Sequence, residues 1–486
     1  MKTLILDGLF VYKDLPGIFD NKRSIDMIYE KAKENNFDRY VLLQNGKISD
    51  IPEGIKNIVV DKLYPADIFN LMYKEAKNSD DIVIFNAGNP FYDTDFIEEM
   101  LKRHTKYIAD YTYCIGYPAG LVPEILRKDI LKELIELVKE DKTIRKDYIF
   151  YALSKDINSF DIETILSDYD VRIFRVNIGN DDKGEEIFTN KLYDIFKQNF
   201  NYNSIVEYVN NNPHKLFTTI YLLILELTNF SSISSIYYPK IKEPPIQLDF
   251  DLIKKIIAGI KELNQHIHVI LGGIGEPSEH DKFYEILEYI IKSDIDIIVE
   301  TYGNNIDDNF INKIDNLNRN KITFVLKYDA YDEKTYKLIH PEGNFNTIIN
   351  SLKLLKDKGF KVYKHVIRMV ENEVEIEKFV RKKEVDDLII KKYSTYCDMI
   401  PDKKVVDLAP LNRIPCYHLR RELYIKANGK AAVCMYSRFK KDNLGDLNSD
   451  SLNQILEKLK NFYIKNSKKE YLDFCKNCND YYLFNF

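Results

Sequence analysis

The sequence predicts an α/β protein in three parts: an N-terminal α/β domain, a partial (β/α)6 barrel, and a cysteine-bearing tail. Three observations carry this expectation. Strand-like and helix-like stretches alternate through the first third of the chain. The alternation resumes at Leu222 with a longer beat of six repeats. Past Pro401 it breaks into turns, and four of the six cysteines lie from Cys416 onward.

A chain of 486 residues exceeds one ordinary domain, since roughly 100 to 200 residues per domain is typical. The 45% apolar residues suffice for packed cores. Charge is almost balanced, 70 Lys+Arg against 76 Asp+Glu, which leaves no basic footprint for nucleic acid. The N-terminal apolar run stops at Asp7, too early for a signal peptide, and TIYLLIL ends at Glu226, far short of the roughly 18 residues of a membrane helix. The expectation is a cytoplasmic protein whose partner is a small molecule or peptide, not nucleic acid or membrane. Six cysteines in so long a chain are too sparse for a disulfide scaffold, and their clustering in the tail is a metal-site distribution.

The first domain is expected over residues 1–198. Leu4 to Leu6 reads as a strand, and Ser24 caps a helix carrying Ile25, Ile28, Tyr29 and Ala32 on one face. Strands follow at 40–43, 58–60 and 81–85, with helices near 66–77 and 95–103 between and after them. Residues 107–114 are strand-like, and Pro123 opens a long helix reaching Glu140. A strand over Val171 to Val176 and a helix ending at Phe196 complete the domain. The polar run 199–217 reads as a linker.

The second domain is expected over 218–400, with strands at 222–227, 268–271, 295–301, 322–327, 361–369 and 386–391. Helices fill the gaps, for example at 250–263, 284–292, 344–358 and 373–379. Six βα repeats without hairpin signals fit a partial barrel, whose ligands sit at the C-terminal strand ends. In the tail, 401–486, Asp450 or Ser451 caps one amphipathic helix with Leu452, Ile455, Leu456 and Leu459 on a single face.

The strand-end residues of the barrel are Thr228 and Asn229, the turn Gly272 to Pro277, Glu300 to Asn304, Asp329, Arg368 and Lys391. Gly273 and Gly275 let a ligand approach the backbone closely, and Glu276 between Gly275 and Pro277 is placed to accept hydrogen bonds from an ammonium group. These three are the candidate cofactor-binding residues.

LELTN, Tyr237, Pro239, the GIGEP turn and VLKYDAYDEKTYKLIHPEGNFNTIINSLKLLKDKG together resemble the core of radical S-adenosylmethionine (SAM) enzymes. In that family a C-x3-C-x2-C loop after the first strand holds a 4Fe-4S cluster, and the GxGEP-type turn contacts SAM. Laid on that pattern, the cysteine positions are Ser231, Ser235 and Tyr238. Hydroxyl and phenol groups ionise far above thiols and are poor ligands for cluster iron. The resemblance therefore implies a barrel that has lost reductive SAM cleavage, with SAM binding through Gly273, Gly275 and Glu276 still open. Tyr302 also departs from the Asn that the family often shows near the SAM ribose.

The tail resembles the SPASM type, whose Cys, Gly-x4-Cys element is matched by Cys416, Gly429 and Cys434, followed by Cys475-x2-Cys478. Four thiolates close one tetrahedral-type site, suited to a 4Fe-4S cluster or, alternatively, to zinc. Cys114 and Cys397 read as buried small residues or free thiols.

KYSTYCDMIPDKKVVDLAPLNRIPCYHLRREL and LGDL extend the similarity to spiro-SPASM proteins, whose N-terminal part is nucleotidyltransferase-like. Here Gly8 and Gly17 remain of the phosphate loop, but Gly88 stands where the metal-binding aspartate of a D-x-P element would fall. Lys13, Lys22 and Arg23 read as solvated charges. The expectation is a degenerate radical SAM/SPASM iron-sulfur protein with one auxiliary cluster. The rivals are an enzyme acting by another route, through nucleotidyl transfer or non-radical SAM use, and a zinc-stabilised interaction scaffold.

Overall fold

The computed structural model of the chain describes residues 1–15, 22–264, 266–381, 387–406, 412–441, 443–478 and 480–482. Gly17 and Asp386 lie outside the described residues. The chain forms two compact units, Met1–Thr218 and Thr219–Phe486.

In the first unit the strands are β1 (Lys2–Gly8), β2 (Arg39–Gln44), β3 (Lys56–Val59), β4 (Asp81–Asn86), β5 (Tyr111–Ile115), β6 (Glu124–Arg127) and β7 (Ile162–Leu166). They form one sheet in the order β3-β2-β1-β4-β6-β5-β7. All neighbours are parallel except β6, which runs antiparallel to both β4 and β5. The long helix expected from Pro123 is thus replaced by a strand and a shorter helix, Leu131–Leu137. Ile125 and Leu126 are both fully buried, one on each face, as an interior strand requires and one face of a helix does not. The expected strand at Val171 is a single tight turn, Val171–Phe174, and the β7 strand precedes it.

The segment 199–217, expected as a linker, is ordered within the first unit. Asn201 caps the helix Tyr202–Asn211 by accepting the Ser204 N–H at 2.8 Å, and Tyr202, Ile205, Val206 and Val209 are buried beneath it. The apolar i, i+3, i+4, i+7 spacing of those four residues is what docks it.

Register places Ile5, Asp7, Ile84, Asn86, Glu124, Leu126 and Tyr111 on one face of this sheet. Ile68, Phe69, Met72, Leu131, Leu134 and Tyr148 pack against the apolar members of that face. Beyond them, at the C-terminal ends of β1 and β4, the face turns polar.

The second unit contains six parallel strands in sequence order: β8 (Leu222–Leu225), β9 (His268–Leu271), β10 (Asp296–Thr301), β11 (Ile322–Lys327), β12 (Lys361–Arg368) and β13 (Leu388–Lys392). This is the six-stranded βα array expected from the sequence. The tail joins it: β14 (Glu422–Ile425) pairs parallel to β8, and β15 (Lys430–Ala432) and β16 (Asn443–Asp446) continue the sheet antiparallel. Helices start where the sequence places caps, with Asp249 accepting from Leu252, Asn344 from Thr347 and Ser451 from Gln454.

Alternation divides the strands cleanly. Val269, Leu271, Ile297, Val299, Phe324 and Leu326 point outward and are fully buried. Ile224, Ile270, Glu300, Lys327, His365, Lys391 and Tyr424 share the inner face.

Candidate functional site: the barrel end and the tail thiols

The loop after β8 is held by backbone and side-chain bonds on both sides. Asn229 accepts from Ile246 N at 2.8 Å and donates to the Pro244 carbonyl at 2.9 Å. Glu276 N donates to the Phe230 carbonyl at 2.8 Å. A Cβ on Gly275 would stand 1.9 Å from the Thr228 carbonyl oxygen, so this turn needs glycine to lie against the loop. Gly273 has φ +103, and a side chain there would meet the Tyr424 hydroxyl.

Glu276 is completely buried, and both its oxygens are engaged. Oε1 accepts from Ser278 Oγ and Thr301 Oγ1, each at 2.7 Å, and Oε2 accepts from Tyr302 N at 2.9 Å. The carboxylate thereby ties the glycine turn to the end of β10.

The three positions singled out in the loop make internal contacts. Ser231 Oγ donates to the Ile233 carbonyl at 2.7 Å. Ser235 Oγ lies 2.7 Å from the Tyr302 hydroxyl and 2.8 Å from His340 Nδ1. His340 Nε2 is 3.0 Å from Asp329 Oδ2, which also accepts from the Tyr237 hydroxyl at 2.8 Å. Tyr238 packs edge-on against Tyr237 and Tyr396.

Burial pushes the Asp329 carboxyl up, but the bonds from His340 and the Ile367 N–H outweigh it and leave it below the ordinary carboxylate range. A buried cation completes the end of the barrel. Lys327 Nζ lies 4.4 Å from the Tyr302 ring centre and 5.2 Å from that of Tyr238, and burial lowers its pKa. His365, on the same inner face, is held down to about 4 by burial, and its Nε2 has no hydrogen-bond partner among the described residues. Lys391 sits 3.5 Å from Glu300, whereas Arg368 pairs with Glu373 at 2.5 Å.

His340, Lys327 and His365 were not singled out from the sequence. The only available signal for His340 was its place eleven residues after Asp329, on the far side of one helix.

A buried ion pair links barrel and tail. Arg438, 2% exposed, bonds Glu226, which is fully buried, at 2.8 Å, and the Tyr424 hydroxyl donates to the same carboxylate at 2.5 Å. Nothing local in the sequence announces a partner 212 residues away.

In the tail, Cys434 interacts electrostatically with Cys416, Cys475 and Cys478, and Cys416 with Cys475 and Cys478. All four predicted thiols therefore share one region. Cys397 is also there: its thiol hydrogen-bonds Cys478, raising its own pKa and lowering that of Cys478. Cys397 is a buried free thiol, as expected, and the turn Tyr396–Asp398, with three successive left-handed residues, brings it to the tail thiols. Burial raises Cys416 and Cys434, so ionised thiolates there need a cation to offset the lost solvation. Among the described residues no three His, Cys, Asp or Glu side chains converge as a single metal ion would require. The donor set suits thiophilic iron or zinc. His418, beside Cys416, donates from Nδ1 to the Glu422 carboxylate at 2.7 Å.

In the first unit, Lys13 pairs with Glu186, Lys22 with Glu30 and Arg23 with Asp26. Among the described residues, no helix is long and apolar enough to cross a membrane.

Comparison with known proteins gives two family matches: the radical SAM superfamily over residues 230–382 and an iron-sulfur cluster-binding domain, SPASM, over residues 416–479. An uncharacterized protein of Treponema pallidum (strain Nichols) is 27% identical over 365 residues, 70% of this chain and 99% of that one. Among solved structures, Streptococcus suis SuiB superposes with a TM-score of 0.44 at 13% identity, covering 61% of this chain and 86% of SuiB. BtrN in complex with AdoMet and 2-DOIA gives 0.39 at 15% identity, covering 54% and 93%. A cytidylyltransferase of Leptospira borgpetersenii gives 0.35 at 17% identity, covering 45% and 98%. The chain thus contains a radical SAM domain in its middle and a SPASM domain at its C-terminal end.

Proposed function

We propose that this protein is an iron-sulfur protein of the superfamily whose barrel does not cleave SAM reductively. Its one 4Fe-4S cluster is held by Cys416, Cys434, Cys475 and Cys478. One observation carries the reading: the sequence has no cysteine between Cys114 and Cys397, so the entire radical SAM match offers no thiolate. Iron in such clusters is held by cysteine thiolates, and Ser231, Ser235 and Tyr238 are already committed within the fold.

The SPASM match favours a cluster over zinc in the tail, since that family is a cluster-binding one. With four protein thiolates on four irons, no iron stays open for substrate, so the group supplies electron transfer or structure when bound. Arg438 and Glu226 fix β8 against the start of the following tail loop, and the hydrogen bond from Cys397 supports Cys478. SAM binding without cleavage is compatible with Gly273 and Gly275, but Glu276 has both oxygens spent on Ser278, Thr301 and Tyr302.

The test is to reconstitute the full chain anaerobically, reduce it with dithionite, add SAM and assay 5′-deoxyadenosine. None above the protein-free control is expected. Stoichiometric or catalytic 5′-deoxyadenosine overturns the proposal.

A further inference from the structure

The first unit contains a cavity of about 510 Å³ at the C-terminal ends of β1 and β4. A volume of roughly 300 to 1,000 Å³ with apolar walls and a few convergent polar groups is the usual form of a small-molecule site. Its walls include Phe10, Tyr113, Tyr148 and Ile149, and its polar floor is Asp7, Asn86 and Glu124. The register described above explains the floor. Asp7 pairs with Asn86 across β1 and β4, and Glu124 pairs with Ile84 across β4 and β6, so the side chains leave the same face at the same end.

Both carboxyls are surrounded by protein yet keep accessible surface, and that surface lines the cavity. Their partners are uncharged. Asp7 accepts from Leu9 N at 3.0 Å and from the Tyr148 hydroxyl at 3.2 Å; Glu124 accepts from the Tyr111 hydroxyl at 3.0 Å. Among the described residues neither forms an ion pair. The charged groups that Glu124 feels, Asp7 and Asp147, are negative. The lysine of the cavity, Lys146, is occupied at 3.1 Å by Asp181 and at 2.8 Å by Glu185, and Arg172 pairs with Asp170 at 2.6 Å. Buried carboxyls without an internal cation, facing an open space of this size, match a ligand that brings the positive charge. An anion would meet like charge at the floor.

We propose that this cavity binds a small organic amine, its ammonium received by Asp7 and Glu124 and its apolar body lying against Phe10, Tyr113 and Ile149. Hydrogen bonds of an ammonium to carboxylates are charge-assisted and gain strength in a site shielded from water. The proposal concerns the first unit alone and stands independently of the tail's metal chemistry. Burial holds Glu124 up at about 7, and Asp7 is raised by the same cause. Asp181, also about 7, Glu185, Lys146, Asp147, Arg172 and Arg175 are the other charged groups at the cavity. Amine binding should therefore strengthen as pH rises from 6 to 8.

The test uses the full chain with tyramine and its uncharged counterpart tyrosol, by isothermal titration or ligand-observed NMR. Tyramine is expected to bind at least about tenfold tighter than tyrosol at pH 8, with the preference shrinking at pH 6 while tyrosol is unchanged. The isosteric variants Asp7→Asn and Glu124→Gln, checked for folding by circular dichroism, should each reduce the preference, and together abolish it. Equal affinities for the two probes, no tyramine binding in the millimolar range, or a preference that survives in folded variants overturns the proposal.

Discussion

The Ser235 hydroxyl lies 2.8 Å from Nδ1 of His340, whose Nε2 stands 3.0 Å from the Asp329 carboxylate. The imidazole bridges a loop residue and a strand end, and all three groups are buried. Removing it leaves a buried carboxylate with a phenol and a backbone N–H as its remaining partners. His340→Ala is expected to lower unfolding stability by about 3 to 5 kcal/mol, against about 1 kcal/mol for Ser235→Ala. Urea denaturation followed by circular dichroism reads both. Equal effects would show that the bridge is not what holds the loop.

The Glu226 and Arg438 pair predicts a distinct pattern. Glu226→Gln leaves a guanidinium that is 2% exposed with Glu243 as its remaining carboxylate partner, at 3.0 Å on a half-exposed side chain. The expected cost is about 3 to 5 kcal/mol. The double variant Glu226→Leu with Arg438→Met should lose less than the sum of the two single changes, because each single change strands a charge that the double does not. Additive losses in a double-mutant cycle would contradict the pairing.

Glu124 gives the protein a pH signature. Its pKa is raised from 4.5 to about 7 in the fold, so between those values the folded state binds the proton that the unfolded state has released. Stability must then fall as pH rises from about 4.5 to about 7, by about 3 kcal/mol from this group, and level off above. Glu124→Gln removes that slope. It should match the wild type at pH 4.5 and exceed it by a few kcal/mol at pH 8, measured by urea midpoints at both pH values. A variant less stable at pH 8 would show that the carboxylate is paired in the native state.

The barrel was legible because its order is local. Amphipathic helices, two of them marked by the side-chain caps Asp249 and Asn344, lie between the strands, and neighbours in sequence are neighbours in the sheet. The SPASM character of the tail was legible in its Cys and Gly-x4-Cys pattern, and Ser451 announced its helix. What stayed hidden depends on distant partners. Glu124–Arg127 stands just before LKELIEL, a strong helix former, and becomes a strand only because β4 and β5 flank it. Tyr202, in a polar run that reads as a linker, is buried because its neighbours Ile205 and Val209 share one helix face. Cys397 joins the tail thiols through a left-handed turn that no sequence spacing announces. Arg438 finds Glu226 across most of the second unit.

The most direct test of the central claim is the iron content of the anaerobically reconstituted chain beside that of the Cys475→Ala, Cys478→Ala double variant. About four irons per wild-type chain and essentially none in the variant are expected, since the barrel supplies no thiolate and the proposed ligands of the cluster all lie in the tail. Four irons retained by the folded variant, about eight in the wild type, or zinc in place of iron would contradict it.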